Sequence, residues 1–373
     1  MKKIKLLLSV FASFLCMNTP NHCNDATPQA SWTVVGAGPA GILALGIILD
    51  SGTPADKIVW LDPEFKVGAM GKYYRNVPGN GKVCQYIDLL NSCNTFREIE
   101  SEAIDHLFNL PLEHTPKLKI FVDAFYDISN HLRTKVNALE DEMVALDYKE
   151  DQWHIKTNKT DFRSDNVVLA TGAHPRVMQY EGITQVPLDI ALDKFTLAQH
   201  VTSNDTVAII GSGHSALLIL KHLSELSVAH IINFYRKPIV YQTPMRGGIA
   251  WKESGLKGDV ATWAKTVLEV NPPQNLLRLF SSPENIKTWL PKCTKVIYAA
   301  GFERNSLPSI NESQSMYENY DRASGIIGPR LYGVGIAFAQ QQVDPLGNVE
   351  YLVGLPYLRF DALYEALGMK DQN

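Results

Sequence analysis

Apolar residues along the chain fall into short unbroken runs and longer periodic stretches, and their order repeats. Residues 32–35 form a short run that enters Gly36-Ala37-Gly38-Pro39-Ala40-Gly41 and then an apolar helix over 42–49. A second run, 58–61, ends at Asp62, and a Gly/Asn/Pro-rich loop follows over 68–82. Helical periodicity then continues to Leu132. From 134 to 168 the texture changes to short alternating runs separated by polar turns, which predicts an antiparallel meander leading into a buried strand that stops at Thr171-Gly172.

The order then restarts. Residues 207–210 read as a strand, Gly211-Ser212-Gly213-His214-Ser215-Ala216 as a turn, and 217–223 as a helix. The next strand, 231–234, ends at Tyr235-Arg236-Lys237. Residues 295–301 repeat the texture of 166–172, 331–338 read as a Gly-rich strand, and 357–367 as a terminal helix. The pattern predicts an α/β fold of two nucleotide-binding modules, one inserted into the other. Residues 30–175 and 294–373 make the outer module, and 176–293 the inner one.

The two glycine-rich turns carry the candidate chemistry. In the first, Gly36 allows a tight turn, Gly38 lets backbone approach a pyrophosphate, and Gly41 lets helix and strand pack closely. The N-terminus of the helix that follows offers free N–H groups and a positive dipole end to phosphate, and Pro39 and Ala40 in the turn are counted with the cofactor-binding residues. Asp62, at the end of the next strand, is placed to accept from ribose hydroxyls, with Glu64 as the fallback. In the second turn, Ser215 and Ala216 replace the last glycine, and the following strand ends in Arg236 rather than an acid. A cation there suits a ribose 2′-phosphate, so NADPH is expected in preference to NADH. His214 lies in this turn, where contact with pyrophosphate or solvent is expected rather than catalysis.

Composition narrows the partners. The chain has 373 residues, with 35 Lys+Arg against 39 Asp+Glu and no long charged run, so nothing marks a nucleic-acid footprint and a small-molecule partner is expected. No metal-ligand spacing is present, and no metal is expected. Lys2, Lys3 and Lys5 precede an apolar run over 6–15 and a polar exit over 18–28. That reads as a signal-like leader over 1–25, implying export or a membrane anchor. A cytoplasmic location is the alternative, favoured by the expectation of NADPH. Cys16 and Cys23 fall in the leader. Cys84, Cys93 and Cys293 form no C-x-x-C pair and read as isolated thiols.

Two such modules, joined by Ala170-Thr171-Gly172 and closed by Ala299-Ala300-Gly301, resemble the two-dinucleotide-binding-domain flavoproteins. These comprise the pyridine nucleotide-disulphide oxidoreductases and the flavin-containing monooxygenases, and the likeness is greater to the latter. The resemblance implies two Rossmann-like, three-layer ββα domains, with FAD on the first turn and NADPH on the second. It places Thr171, Gly172, Gly301 and Gly335 on the cofactors, and the loop bearing Arg75 and Asn80 near the flavin. Trp251 and Lys252 are candidates for the substrate or nicotinamide side.

Two departures stand out: 186–200 lacks the F-x-G-x-x-x-H signature of the monooxygenases, and 333–336 lacks the Gly-Asp pair that holds the ribityl chain. With no redox cysteine pair, disulfide reduction is not expected. The activity implied is flavin-dependent oxygenation, in which NADPH reduces FAD and a flavin peroxide passes one oxygen to a small molecule. The alternatives are a reductase that hands electrons to a quinone or other acceptor, and a non-catalytic flavin-binding protein. No catalytic side chain is named.

Overall fold

Strands that read as unbroken apolar runs pair in parallel, because both of their faces are covered. In the computed structural model, β1 (Gln29–Val35) lies between β2 (Ile58–Leu61) and β6 (Asp161–Leu169), parallel to both. The model describes residues 29–369 apart from 245–249, 252–254, 311–313, 344–346 and 348. The leader, with Cys16 and Cys23, therefore lies outside the described residues, as does Lys252. Strand β2 is flanked by β3 (Asn137–Leu139), and the far edge of β6 by Leu331–Gly333, again in parallel. Helix α1 (Pro39–Asp50) is buried continuously from Gly41 to Ile48, which accounts for its being apolar on every side. It packs against Leu118–Arg133, which buries Phe121, Val122, Phe125, Ile128 and Leu132 on one stripe.

The alternating stretch forms the expected meander. β4 (Met143–Lys149) and β5 (Gln152–Thr157) pair antiparallel, and β5 pairs with the N-terminal half of β6. Strand β6 thus serves two arrangements. One edge pairs with β1 from Arg163 to Leu169, while the other passes from β5 to Leu331–Gly333 before Thr171 and Gly172 emerge.

The chain crosses to the second sheet through β7 (Ala173–Pro175). There β8 (Thr184–Gln185), Lys295–Tyr298, β9 (Thr206–Ile210), β10 (His230–Tyr235) and Leu276–Phe280 lie side by side in that order, all parallel. Residues 294–298 were expected in the returning half of the outer module; they belong instead to the inner one. The strand continues the hydrogen bonding of β9, and Thr294 is tied to Asp205 and Thr206. The return to the outer module comes after Tyr298, where Phe302–Arg304 pairs antiparallel with β7. The terminal helix is shorter than its apolar pattern suggested, covering Asp361–Ala366. The Gly-rich strand also ends early, giving way to a single 3-10 turn at Ile336–Phe338.

Helix α1 sits tightly on its neighbours at Gly46, where an added Cβ would lie 2.7 Å from the Phe96 ring and 2.9 Å from the Cys93 sulfur. Both neighbours are core residues. Gly46→Val is therefore expected to lower unfolding free energy by about 1–3 kcal/mol, the usual cost of overpacking. Urea unfolding at neutral pH measures it.

Candidate functional site

The first turn is held in place by close contacts that leave one side open. Gly36 has φ +106°, and a Cβ there would stand 2.4 Å from the carbonyl oxygen of Ala170. A Cβ on Gly41 would stand 1.9 Å from the carbonyl oxygen of Gly36. Gly38 is different: its Cβ would meet nothing nearer than the Gly68 Cα at 3.9 Å. The outer two glycines are thus required by the protein, and the middle one faces free space at the start of α1. No side chain caps that helix N-terminus. The turn is also pinned from β2, by Gly36 N–H to Leu61 O and Trp60 Nε1–H to Gly36 O.

Asp62 is part of the same fastening. Its Oδ2 accepts from Ala37 N–H at 2.7 Å, and its Oδ1 from the N–H groups of Glu64 at 2.8 Å and Phe65 at 2.6 Å. A carboxylate with about four acceptor positions has one left for a ribose hydroxyl. Glu64 is ion-paired with Lys72, whose hydrogen bond holds the carboxyl below its usual range. Pro39 and Ala40 form the first turn of α1. Gly335, at φ +77°, is pressed against it, since a Cβ there would stand 2.7 Å from the Ala40 Cβ. Thr171 has a buried hydroxyl with no partner, and its carbonyl accepts from the Asn305 side chain, which stands over Gly172.

The second turn repeats the geometry of the first. A Cβ on Gly211 would stand 2.3 Å from the carbonyl oxygen of Ala299, as Gly36 stands to Ala170. Gly213 has nothing within 4 Å of its Cβ position, and it caps the helix His214–Ser224 with no side-chain acceptor. Ala216 occupies the place of Gly41, which shows that a methyl is tolerated here. Gly301, at φ +102°, follows the strand that carries Ala299. Arg236 is exposed where β10 ends, and a second cation that the sequence pattern did not flag lies on the neighbouring strand, in register with Asn233. Arg278 donates from Nε to Asn233 at 3.0 Å and lies 4.9 Å from the Tyr235 ring centroid.

Between the modules lies a cavity of about 190 Å³. Tyr74, Asn80 and Leu118 line it from the outer module, Leu192, His214 and Ser215 from the inner one, and Phe302 from the return crossing. Tyr74 and Phe302 meet edge to face at 6.3 Å, and burial pushes the Tyr74 hydroxyl up to about 12. His214 is among the residues that line this cavity. Its Nδ1 is buried without a partner, and burial, reinforced by the Lys257 charge, pushes the imidazole down to about 4. Asn80 lines the cavity. Arg75 is not free to act there, being paired with Asp123 at 2.5 Å. The Trp251 side chain lies outside the described residues. Tyr74, Leu118, Leu192 and Phe302 were missed because each reads locally as an ordinary core residue.

Of the thiols, Cys93 and Cys293 are buried, and burial pushes them up to about 12 and about 11. Neither is suited to exchange, which needs thiolate.

Two glycine-rich turns of one design, the second of them lining a cavity between the modules, are the pattern of a two-nucleotide oxidoreductase. The pyridine nucleotide-disulphide oxidoreductase family matches residues 30–314, and the chain belongs to that family. It is 28% identical to the monooxygenase AgnR1 of Paecilomyces divaricatus, over 88% of this chain and 95% of that protein. Among solved structures it resembles the bacillithiol disulfide reductase Bdr of Staphylococcus aureus (TM-score 0.56, 14% identity, 91% of this chain and 99% of that one). It also resembles a flavin-containing monooxygenase of Stenotrophomonas maltophilia (TM-score 0.54, 14% identity, 83% and 90%). At these identities the two structures establish the α/β fold and leave the reaction open.

The His214 environment fixes the sign of a pH effect. Its folded pKa is depressed, so between the ordinary value near 6.5 and about 4 the unfolded chain binds a proton that the folded chain does not. The resulting stability is present above pH 6.5 and is lost as pH falls through that window, on the order of 3 kcal/mol in all. His214→Asn is expected to flatten the curve over this range, read from urea unfolding at pH 7 and pH 4.5.

Proposed function

We propose that the chain is an NADPH-dependent flavoprotein that oxygenates a small molecule. The observation that carries the reading is the repeated cradle. In each module, steric contact forces the first glycine of the turn, and the second faces free space at an uncapped helix N-terminus. That space suits a pyrophosphate, which approaches close to backbone and the positive end of a helix.

FAD would be held by Gly36, Gly38, Pro39, Ala40 and Gly41, with Asp62 at the ribose and Thr171, Gly172 and Gly335 along the adjacent strand ends. NADPH would be held by Gly211, Gly213, Ser215 and Gly301, with Arg236 at the 2′-phosphate and His214 at the edge of the shared cavity. Bound FAD supplies hydride acceptance and oxygen activation. The protein's part is orientation and exclusion of water. Tyr74, Leu118, Leu192 and Phe302 form an apolar wall between the two cradles, and His214 adds a neutral ring to it. Arg278 adds a second positive charge at the end of β10. Oxygenation is favoured over disulfide exchange by the burial of Cys93 and Cys293, which leaves half-buried Cys84 without an accessible partner thiol among the described residues, and by the likeness to a monooxygenase along most of both chains.

The test begins with the visible spectrum of the purified protein, followed by addition of NADPH with and without air. Flavin absorbance that NADPH bleaches anaerobically, with oxygen consumed in proportion to an oxygenated product, is the expected result. Bleaching without an oxygenated product would instead identify a reductase. A protein that cannot be loaded with FAD would overturn the reading. Gly38→Val is expected to abolish FAD loading while leaving the melting temperature of the apoprotein nearly unchanged, because the added atoms enter free space. Arg236→Glu is expected to raise KM for NADPH by roughly tenfold or more, about 1.4 kcal/mol, with little change for NADH. Steady-state kinetics with both nucleotides decides that point.

A further inference from the structure

The 3-10 turn Ile336–Phe338 is too short to satisfy its own carbonyls, and side chains do so instead. Arg304 Nε donates to Ala337 O at 2.6 Å, the Tyr320 hydroxyl donates to Phe338 O at 2.6 Å, and Arg322 Nη1 donates to Ala339 O at 3.4 Å. The Arg304 guanidinium lies 4.3 Å from the Phe338 ring centroid, and that of Arg322 lies 5.8 Å from Tyr320 and 5.3 Å from Tyr351. Each arginine gives its carbonyl one N–H out of five, so most of both guanidinium forks is unused.

Among the described residues neither Arg304 nor Arg322 forms an ion pair. The two charges also repel each other, and burial together with the Arg322 charge holds the Arg304 guanidinium below its usual range. Like charges brought together at a partly desolvated turn are unfavourable unless an anion joins them.

We infer that Arg304 and Arg322 form a binding site for the carboxylate of a substrate with an apolar body. Arginine suits a carboxylate because its planar fork matches both oxygens. The apolar body has a surface to rest on: Ile336, Ile326 and Tyr351 are 39%, 39% and 52% exposed around the same turn. The site adjoins the first cradle from two directions. Ala337 follows Gly335, which is pressed on Ala40, and Arg304 pairs across the ribbon with Ala173, next to Gly172. As a substrate site it rests on the proposed oxidoreductase function; as an anion site it does not.

The full chain, labelled at arginine with nitrogen-15, is titrated with 2-naphthoate, its neutral counterpart 2-naphthamide and inorganic phosphate, without NADPH. The expected result is a saturable shift of the Arg304 Nε–H resonance by 2-naphthoate, at an affinity at least tenfold above that for 2-naphthamide. Arg304→Gln and Arg322→Gln are each expected to weaken 2-naphthoate by about tenfold, measured by calorimetry. If the glutamine variants melt early, the acid-to-amide comparison on the unaltered chain still decides. Equal binding of acid and amide, no saturable shift by 2-naphthoate, or a shift by phosphate alone would overturn the assignment. Because no turnover is read, failure of the oxidoreductase reading in the spectral test leaves this result standing on its own.

Discussion

The contact on which the rest depends is the approach of a turn glycine to the carbonyl of the neighbouring strand: Gly36 to Ala170 in one module and Gly211 to Ala299 in the other. No side chain fits between them, so the strand before each glycine turn and the strand ending in alanine are locked at one spacing. The helix that follows is then aimed with its N-terminus above the strand ends. In the first module Asp62 and Trp60 add two further ties to that turn. A cradle made this way is rigid before any ligand arrives, which lowers the ordering cost of binding.

Much of this was legible in the sequence because it is local. Strand, turn, helix and acid follow one another in a fixed order, and period and glycine spacing are read directly from consecutive residues. The boundary near residue 294 was misjudged for a related reason. Residues 295–301 have the same texture as 166–172 because they do the same work in a different sheet, and texture does not say which sheet. The cavity was not legible. Tyr74, Leu118, Leu192 and Phe302 come together only when two modules are packed, and each has an ordinary apolar neighbourhood in sequence. His214 was legible as a turn residue, but its place on a cavity shared with the outer module's loop was not.

Asp62 and Arg304 show how one residue type acquires different duties. A carboxylate at the end of β2 fits ribose, yet this one is largely used by backbone N–H groups at the protein's own turn. Arg304 looks from sequence like a charge at a strand end, and it holds a carbonyl that a longer helix would have satisfied. The missing Gly-Asp pair and the single 3-10 turn after Gly335 are thus connected. Where the chain gives up a helix, it must supply donors from elsewhere, and the donors it supplies are cations.

The ribbon made by β7 and Phe302–Arg304 brings the way into the inner module and the way out of it side by side, with Arg176 N–H bonded to Gly301 O. An insertion whose two ends touch does not stretch its host. The outer sheet would close over the gap if the inner module were exchanged for another of different size or specificity. Under the proposed assignment of the two cradles, nucleotide preference would lie wholly inside that ribbon, and such a graft could change it without redesigning the outer module.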